Sequence, residues 1–262
     1  MKFKNRTQAR KLTGISSLGG INTSAKLSHN AEIGVNTYVL YLAPGKNSGY
    51  EVCPNATKAC RGACLYSSGR VKVEEYSGKN TIKKCRINRT KLFFEHQEFF
   101  MQWLIAEIKA AQAKSERDGM LFSVRLNGTS DIRWEDIPVT PTTNIFDYFS
   151  KVQFYDYTKT PDRYSASLYD NYHLTFSYTG EGLNYLQSCN VLNAGGNVAV
   201  VFDTKKGHEL PKSWMGYEVI DGDVTDYRPA DPNGVVVGLR FKESASKKAN
   251  ELAKQSPFVV NV

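Results

Sequence analysis

The chain is expected to fold as an α/β protein of (β/α) barrel-like type, as readily open or irregular as closed, with a cysteine loop directly after its first strand. Three observations predict this. Short runs of β-branched and aromatic residues alternate with helical stretches, the mark of βα units and a parallel sheet. The runs are apolar throughout, as strands buried on both faces are. A length of 262 residues is ordinary for one (β/α) barrel.

Residues 1–36 read as an irregular basic N-terminal arm, because Gly14, Gly19 and Gly20 stand among Ser, Thr and Asn without periodicity. Residues 37–262 read as a single barrel-like domain. Its first strand is the run 37–42 (TYVLYL), ended by Ala-Pro-Gly at 43–45. From residue 81 to about residue 117, Phe93, Phe94, Phe100, Trp103, Leu104 and Ile108 recur at three- and four-residue steps. That spacing predicts one amphipathic helix, which Gly119 ends. Further strands are expected at 121–126 (LFSVRL), 152–155, 172–176 (YHLTF), 198–202 (VAVVF), 217–220 and 235–239 (VVVGL). Helical or turn-rich stretches at 144–150, 181–192 and 243–254 separate them. Seven strands result, one short of a full barrel.

Composition narrows the class. A hydrophobic content of 41%, with 12% aromatic residues, supports a sizeable core. No run of eighteen apolar residues occurs, so no membrane span is expected. The N-terminus MKFKNRTQARK is basic but leads into a Gly/Ser/Asn-rich stretch, unlike a signal peptide. Five cysteines, an odd number and clustered, argue for a reducing compartment and metal chemistry over a disulfide framework. The net charge of +8 permits a nucleic-acid or nucleotide partner. It is spread along the chain without a long basic block, so a solvated surface accounts for it more readily. Neither G-x-G-x-x-G after the first strand nor G-x4-G-K-[ST] is present, which argues against a Rossmann enzyme or a P-loop NTPase.

The cysteine loop is the sharpest feature. Cys53, Cys60 and Cys64 fall within twelve residues at spacing C-x6-C-x3-C, with Lys58 and Arg61 among them, a setting that favours thiolates. The long first gap suits the paired knuckles of tetrahedral zinc poorly. Three thiolates on one loop suit a [4Fe-4S] cluster with one iron left open. Two alternatives stand: a zinc site completed by Cys85 or a His, and buried free thiols. Cys85 near the helix start is either a fourth ligand or a core thiol, and Cys189 is most simply buried.

In βα folds the ligand site lies at the carboxyl ends of the strands. The candidates there are Asn127, Thr129, Ser130, Asp131, Asp156, Lys159, Ser177, Asp203, Asp221, Asp223 and Arg228. Asp131, Asp156 and Lys159 are the expected catalytic groups, a carboxylate and amine set suited to acid–base work or anion binding. Asn127, Thr129, Ser130, Ser177, Asp203, Asp223 and Arg228 are the expected substrate contacts. Asp and Asn after strands also serve as plain turn formers and helix caps, which covers Asp203 and Asp221 well.

Together CPNATKACRGACLYSSGR, VRLNGTSDIRWE, QFYDYTK, NYHLTFS, NVAVVFD and VIDGDVTDYR resemble bacteriophage proteins of the gene product 88 type, over roughly residues 37–240 in matching order. The resemblance implies a viral protein acting in the cytoplasm of an infected bacterium. A looser similarity is to radical S-adenosylmethionine enzymes, which place a three-cysteine cluster loop after the first strand of a partial (β/α) barrel. This chain departs from their C-x3-C-x2-C spacing and has Ala63 where they carry an aromatic residue, which puts S-adenosylmethionine binding in doubt. The expected function is that of a [4Fe-4S] enzyme, radical or Lewis-acid in type, acting on a small molecule or nucleotide. The alternative is a metal-stabilised protein that binds nucleic acid or a host partner without catalysis.

Overall fold

The computed structural model describes residues 2–64, 66, 70–165, 169–244 and 246–262. Leu65 and residues 67–69 of the CPNATKACRGACLYSSGR segment, and Ala245 of the last helical stretch, lie outside them. In chain order, α1 (Arg6–Thr13), β1 (Gly19–Ile21), α2 (Ala25–Glu32) and β2 (Val35–Leu40) lead to the short helices α3 (Lys58–Gly62) and α4 (Arg70–Tyr76). Next come α5 (Thr81–Glu95), α6 (Gln97–Arg117), β3 (Leu121–Arg125), α7 (Ile145–Tyr148), β4 (Gln153–Thr158) and α8 (Pro161–Ser165). The remainder is β5 (Tyr172–Ser177), α9 (Asn184–Asn193), β6 (Val198–Phe202), β7 (Ser213–Trp214), β8 (Tyr217–Asp221), β9 (Val236–Arg240), α10 (Lys247–Lys254) and β10 (Val259–Val260).

The chain divides into two compact units, each assembled from three stretches. One comprises Met1–Cys53, Thr81–Asp156 and Tyr169–His173, the other Pro54–Asn80, Tyr157–Leu168 and Leu174–Val262.

In the first unit β1 pairs antiparallel with β2, and β2, β3 and β4 follow in parallel. All six residues of β2 are buried, as in a strand covered on both faces, although Asn36 and Thr37 interrupt its apolar run. The polar exceptions are satisfied internally. Asn30 donates to Thr37 Oγ1 at 3.0 Å, and Thr37 Oγ1 meets Ser123 Oγ at 2.9 Å. Helix α6 packs on β1, β2 and β3. It buries Phe100, Trp103, Leu104, Ile108 and Ala111 at helical spacing. Glu107 lies on that face too, 5% exposed. It accepts hydrogen bonds from Leu18 N, Gly19 N and Tyr38 Oη, and so pins the segment before β1 to α6. Burial, and then the Glu107 carboxylate, push the Tyr38 hydroxyl pKa well above its ordinary value.

Within residues 2–36, expected to be irregular, the described chain forms α1, β1 and α2. Asn5 caps α1 by accepting from Gln8 N, and Ser24 caps α2 by accepting from Leu27 N. The predicted long helix is two helices, α5 and α6, parted at His96, whose φ of −143° is not helical.

In the second unit the strands run β5-β6-β9-β8-β7, parallel except for the terminal β7–β8 hairpin, and β10 pairs with β6. Phe176, Val198, Val200, Phe202 and Val236 form its core with Val191 and Leu192 of α9. Among the described residues neither run of strands closes on itself. A barrel needs its last strand to bond its first. Here short antiparallel strands, β1 in one unit and β7 in the other, stand at the edges instead.

Candidate functional site

In the first unit the loop after β3 is built around Asn127. Its Oδ1 accepts from Ser130 Oγ at 2.8 Å, Ile132 N at 3.0 Å and Trp134 Nε1 at 3.1 Å, and its Nδ2 donates to Ile132 O at 3.0 Å. Its backbone N donates to Asp156 Oδ1 at 2.7 Å. The strand reading ended at Tyr155, yet β4 runs on to Thr158, and Asp156 is a strand residue buried to 1%. A carboxylate is tolerated there because Asn127 N and Tyr172 Oη, at 3.2 Å, both donate to it.

The same loop is sewn to the end of β2 and to the start of the cysteine loop. Gly128 N donates to Leu40 O at 3.1 Å, and Thr129 Oγ1 donates to Leu42 O at 2.6 Å. A Cβ on Gly128 would stand 2.7 Å from Leu40 O, so only glycine permits this approach. Asp131 N donates to Val52 O at 2.7 Å, and Cys53 Sγ donates to Thr129 O at 3.7 Å. Cys53 thus sits on the loop that carries Asn127, Thr129, Ser130 and Asp131.

Cys60 and Cys64 belong to the second unit, Cys60 within α3 and Cys64 two residues after its end. Thr57 caps that helix by accepting from Cys60 N, and Arg61 Nε donates back to Ala56 O at 3.1 Å. Ala59 and Ala63, four residues apart, are buried, and α3 packs against α10. Small residues allow the close approach: a Cβ on Gly62 would lie 3.6 Å from Ala249 Cβ. Cys60 and Cys64, the latter just beyond the C-cap Ala63, are both half-buried.

Lys159 follows β4 and lines a cleft of about 220 Å³ in this unit, with Asn55, Thr57, Glu181, Asn184 and Gln187 among its walls. Asn55 Nδ2 donates to Thr160 Oγ1 at 2.8 Å, which fastens the cysteine loop beside Lys159. Asn184 braces the far wall, accepting from Thr179 N and donating to Ser177 O. The sequence reading singled out Lys159 and Ser177 but missed Asn55, Thr57, Glu181 and Gln187, which lie outside any strand-end run.

The remaining rim residues are held in pairs. Asp203 meets Lys254 Nζ at 2.9 Å. Arg228, 1% exposed, pairs with Asp231 at 3.0 Å and also donates to Thr225 O. Asp221 and Asp223 bind Arg240, and Asp223 also meets Lys242 at 2.9 Å. The hydrogen bond from Arg240 holds the Asp221 carboxyl below its usual pKa. A depressed carboxyl pKa stabilises the fold above the unfolded value of about 3.9, and the gain is lost as pH falls through the folded value. Urea midpoints of the wild type and Asp221→Asn are therefore expected to differ at neutral pH and to converge in acid as the Asp221 carboxyl becomes protonated in the folded protein.

None of the five cysteines is in a disulfide. Among the described residues, no three or more His, Cys, Asp or Glu side chains stand together as a ready-made metal site. No helix among the described residues is long and apolar enough to cross a membrane.

Residues 2–255 match the protein family described as Gene product 88. No curated protein and no solved structure matches the chain. These comparisons lend no support to the looser resemblance to radical S-adenosylmethionine enzymes. A match over nearly the whole length, in the phage gene-product family that its motifs resemble, establishes that this chain belongs to the Gene product 88 family.

Proposed function

We propose that this protein is a phage-encoded [4Fe-4S] enzyme. Its ligands are Cys53, Cys60 and Cys64, and it acts on a small polar or nucleotide-like molecule. The observation that carries the reading is the cysteine loop itself. Three thiols lie within twelve residues, none in a disulfide, and the loop residues Asn55 and Thr57 form a wall of the Lys159 cleft. Held by these three thiolates, such a cluster would supply Lewis-acid or electron-transfer chemistry.

The chain's own residues divide the remaining work. Lys159 attracts an anionic group on the ligand, and Glu181 on the same cleft is suited to take or return a proton. The cleft is smaller than a typical ligand pocket of ~300–1,000 Å³, so it suits one polar end of a substrate. Asn127 and Asp156 act by position, holding the loop whose Thr129 carbonyl meets Cys53.

Anaerobically purified protein is expected to be brown, with a broad band near ~400 nm and both iron and acid-labile sulfide. Stoichiometric zinc without iron would overturn the cluster. Paramagnetic resonance of the reduced protein with and without S-adenosylmethionine separates the two chemistries. A changed spectrum with adenosine products marks the radical route, and an unchanged one marks the Lewis-acid route. Lys159→Ala is expected to weaken binding of an anionic ligand about 10-fold or more while leaving the iron content intact.

A further inference from the structure

A second cleft, of about 330 Å³, lies wholly within the first unit and has a different character. Its rim carries Arg6 and Arg10 of α1 and Lys114 and Arg117 at the end of α6, and Tyr38 and Glu107 lie at its floor. We infer that this cleft binds the phosphate backbone of a nucleic acid, without reading its bases.

The charge of the segment before β1 is one-sided. Residues 2–13 hold five cations, Lys2, Lys4, Arg6, Arg10 and Lys11, and no acid. Arg6 and Arg10 stand four residues apart and share one helix face, and α1 packs against α6. Lys114 is tied to Asp118, whereas Arg6, Arg10 and Arg117 have no side-chain partner among the described residues.

The floor argues against a small phosphate seated deep in the cleft. The backbone N–H groups that would cradle it, Leu18 N and Gly19 N, already donate to Glu107. That carboxylate would also repel an anion placed beside it. A ligand must therefore ride along the exposed rim. Single solvated ion pairs there contribute little. A polyanion that meets several at once gains from the release of its condensed counterions. No aromatic face other than the engaged Tyr38 ring lines the cleft, so bases find no stacking platform and the contact is to backbone alone.

The test is fluorescence anisotropy of the full chain with labelled single-stranded and duplex oligonucleotides of two unrelated sequences, from about 50 mM to about 200 mM salt. Both sequences should bind alike, with log affinity falling against log salt at a slope of about −3 for the duplex and about −2 for the single strand. The triple variant R6A/R10A/R117A should bind about 10-fold or more weaker at low salt and lose about one unit of slope per contact removed. R6K/R10K/R117K should retain binding, which separates lost charge from damaged structure, and K205A/K206A in the other unit should bind as the wild type. Absence of binding at low salt, or wild-type binding by R6A/R10A/R117A, would overturn the inference. So would inorganic triphosphate binding as tightly as the oligonucleotide, which marks a small-anion site. Iron content stays unchanged in all these variants, so failure here is distinct from failure of the cluster reading.

Discussion

Replacing Cys53, Cys60 or Cys64 singly with Ala is expected to remove most of the iron and sulfide from anaerobically prepared protein. Two remaining thiolates cannot hold a cubane whose third iron has lost its anchor. Cys189→Ala should leave the iron content unchanged, because Cys189 lies in α9, away from the loop in sequence. Cys85→Ala, in the first turns of α5, is the informative control. Retained iron with an unaltered spectrum confirms three protein ligands and an open position. Loss of iron to the same extent as the loop variants would mean four thiolates saturate the cluster, and the enzyme reading would give way to electron transfer or a structural role.

Asn127→Ala is expected to cost about 3–5 kcal/mol of stability, read as a lower urea midpoint at unchanged slope. One side chain here serves four hydrogen bonds in a buried loop. Truncation strands Ile132 N, Ile132 O and Trp134 Nε1 in the interior, and each stranded group costs about 1–3 kcal/mol. Trp134 is fully buried and packs 5.3 Å from Phe93, so water cannot readily replace the lost partner. A change under about 1 kcal/mol would show that the loop rearranges freely and that Asn127 is not its organiser.

The long apolar strands were legible because burial on both faces leaves a nearly unbroken signature, as in β6 and the first four residues of β9. Three strands, β1, β7 and β10, were not, since two or three residues carry no pattern. Helix α1 buries only Ala9 and α2 is equally short, so neither shows an apolar stripe, although the capping residues Asn5 and Ser24 were in plain view. The break at His96 has neither Gly nor Pro to announce it. Asp156 read as a loop residue because its neutralising donors, Asn127 N and Tyr172 Oη, come from distant positions that a linear pattern cannot join. The cysteine spacing was visible at once, but the Asn55–Thr160 bond that fastens the loop beside Lys159 was not.

That the first unit draws on Met1–Cys53, Thr81–Asp156 and Tyr169–His173 sets an order of events on the ribosome. Glu107 clamps Leu18 across 89 positions, and β2 finds its parallel neighbour only after α5 and α6 have been made. Such distant pairings close slowly, after the local helices have formed. All three loop thiols are translated well before Tyr172 can reach Asp156.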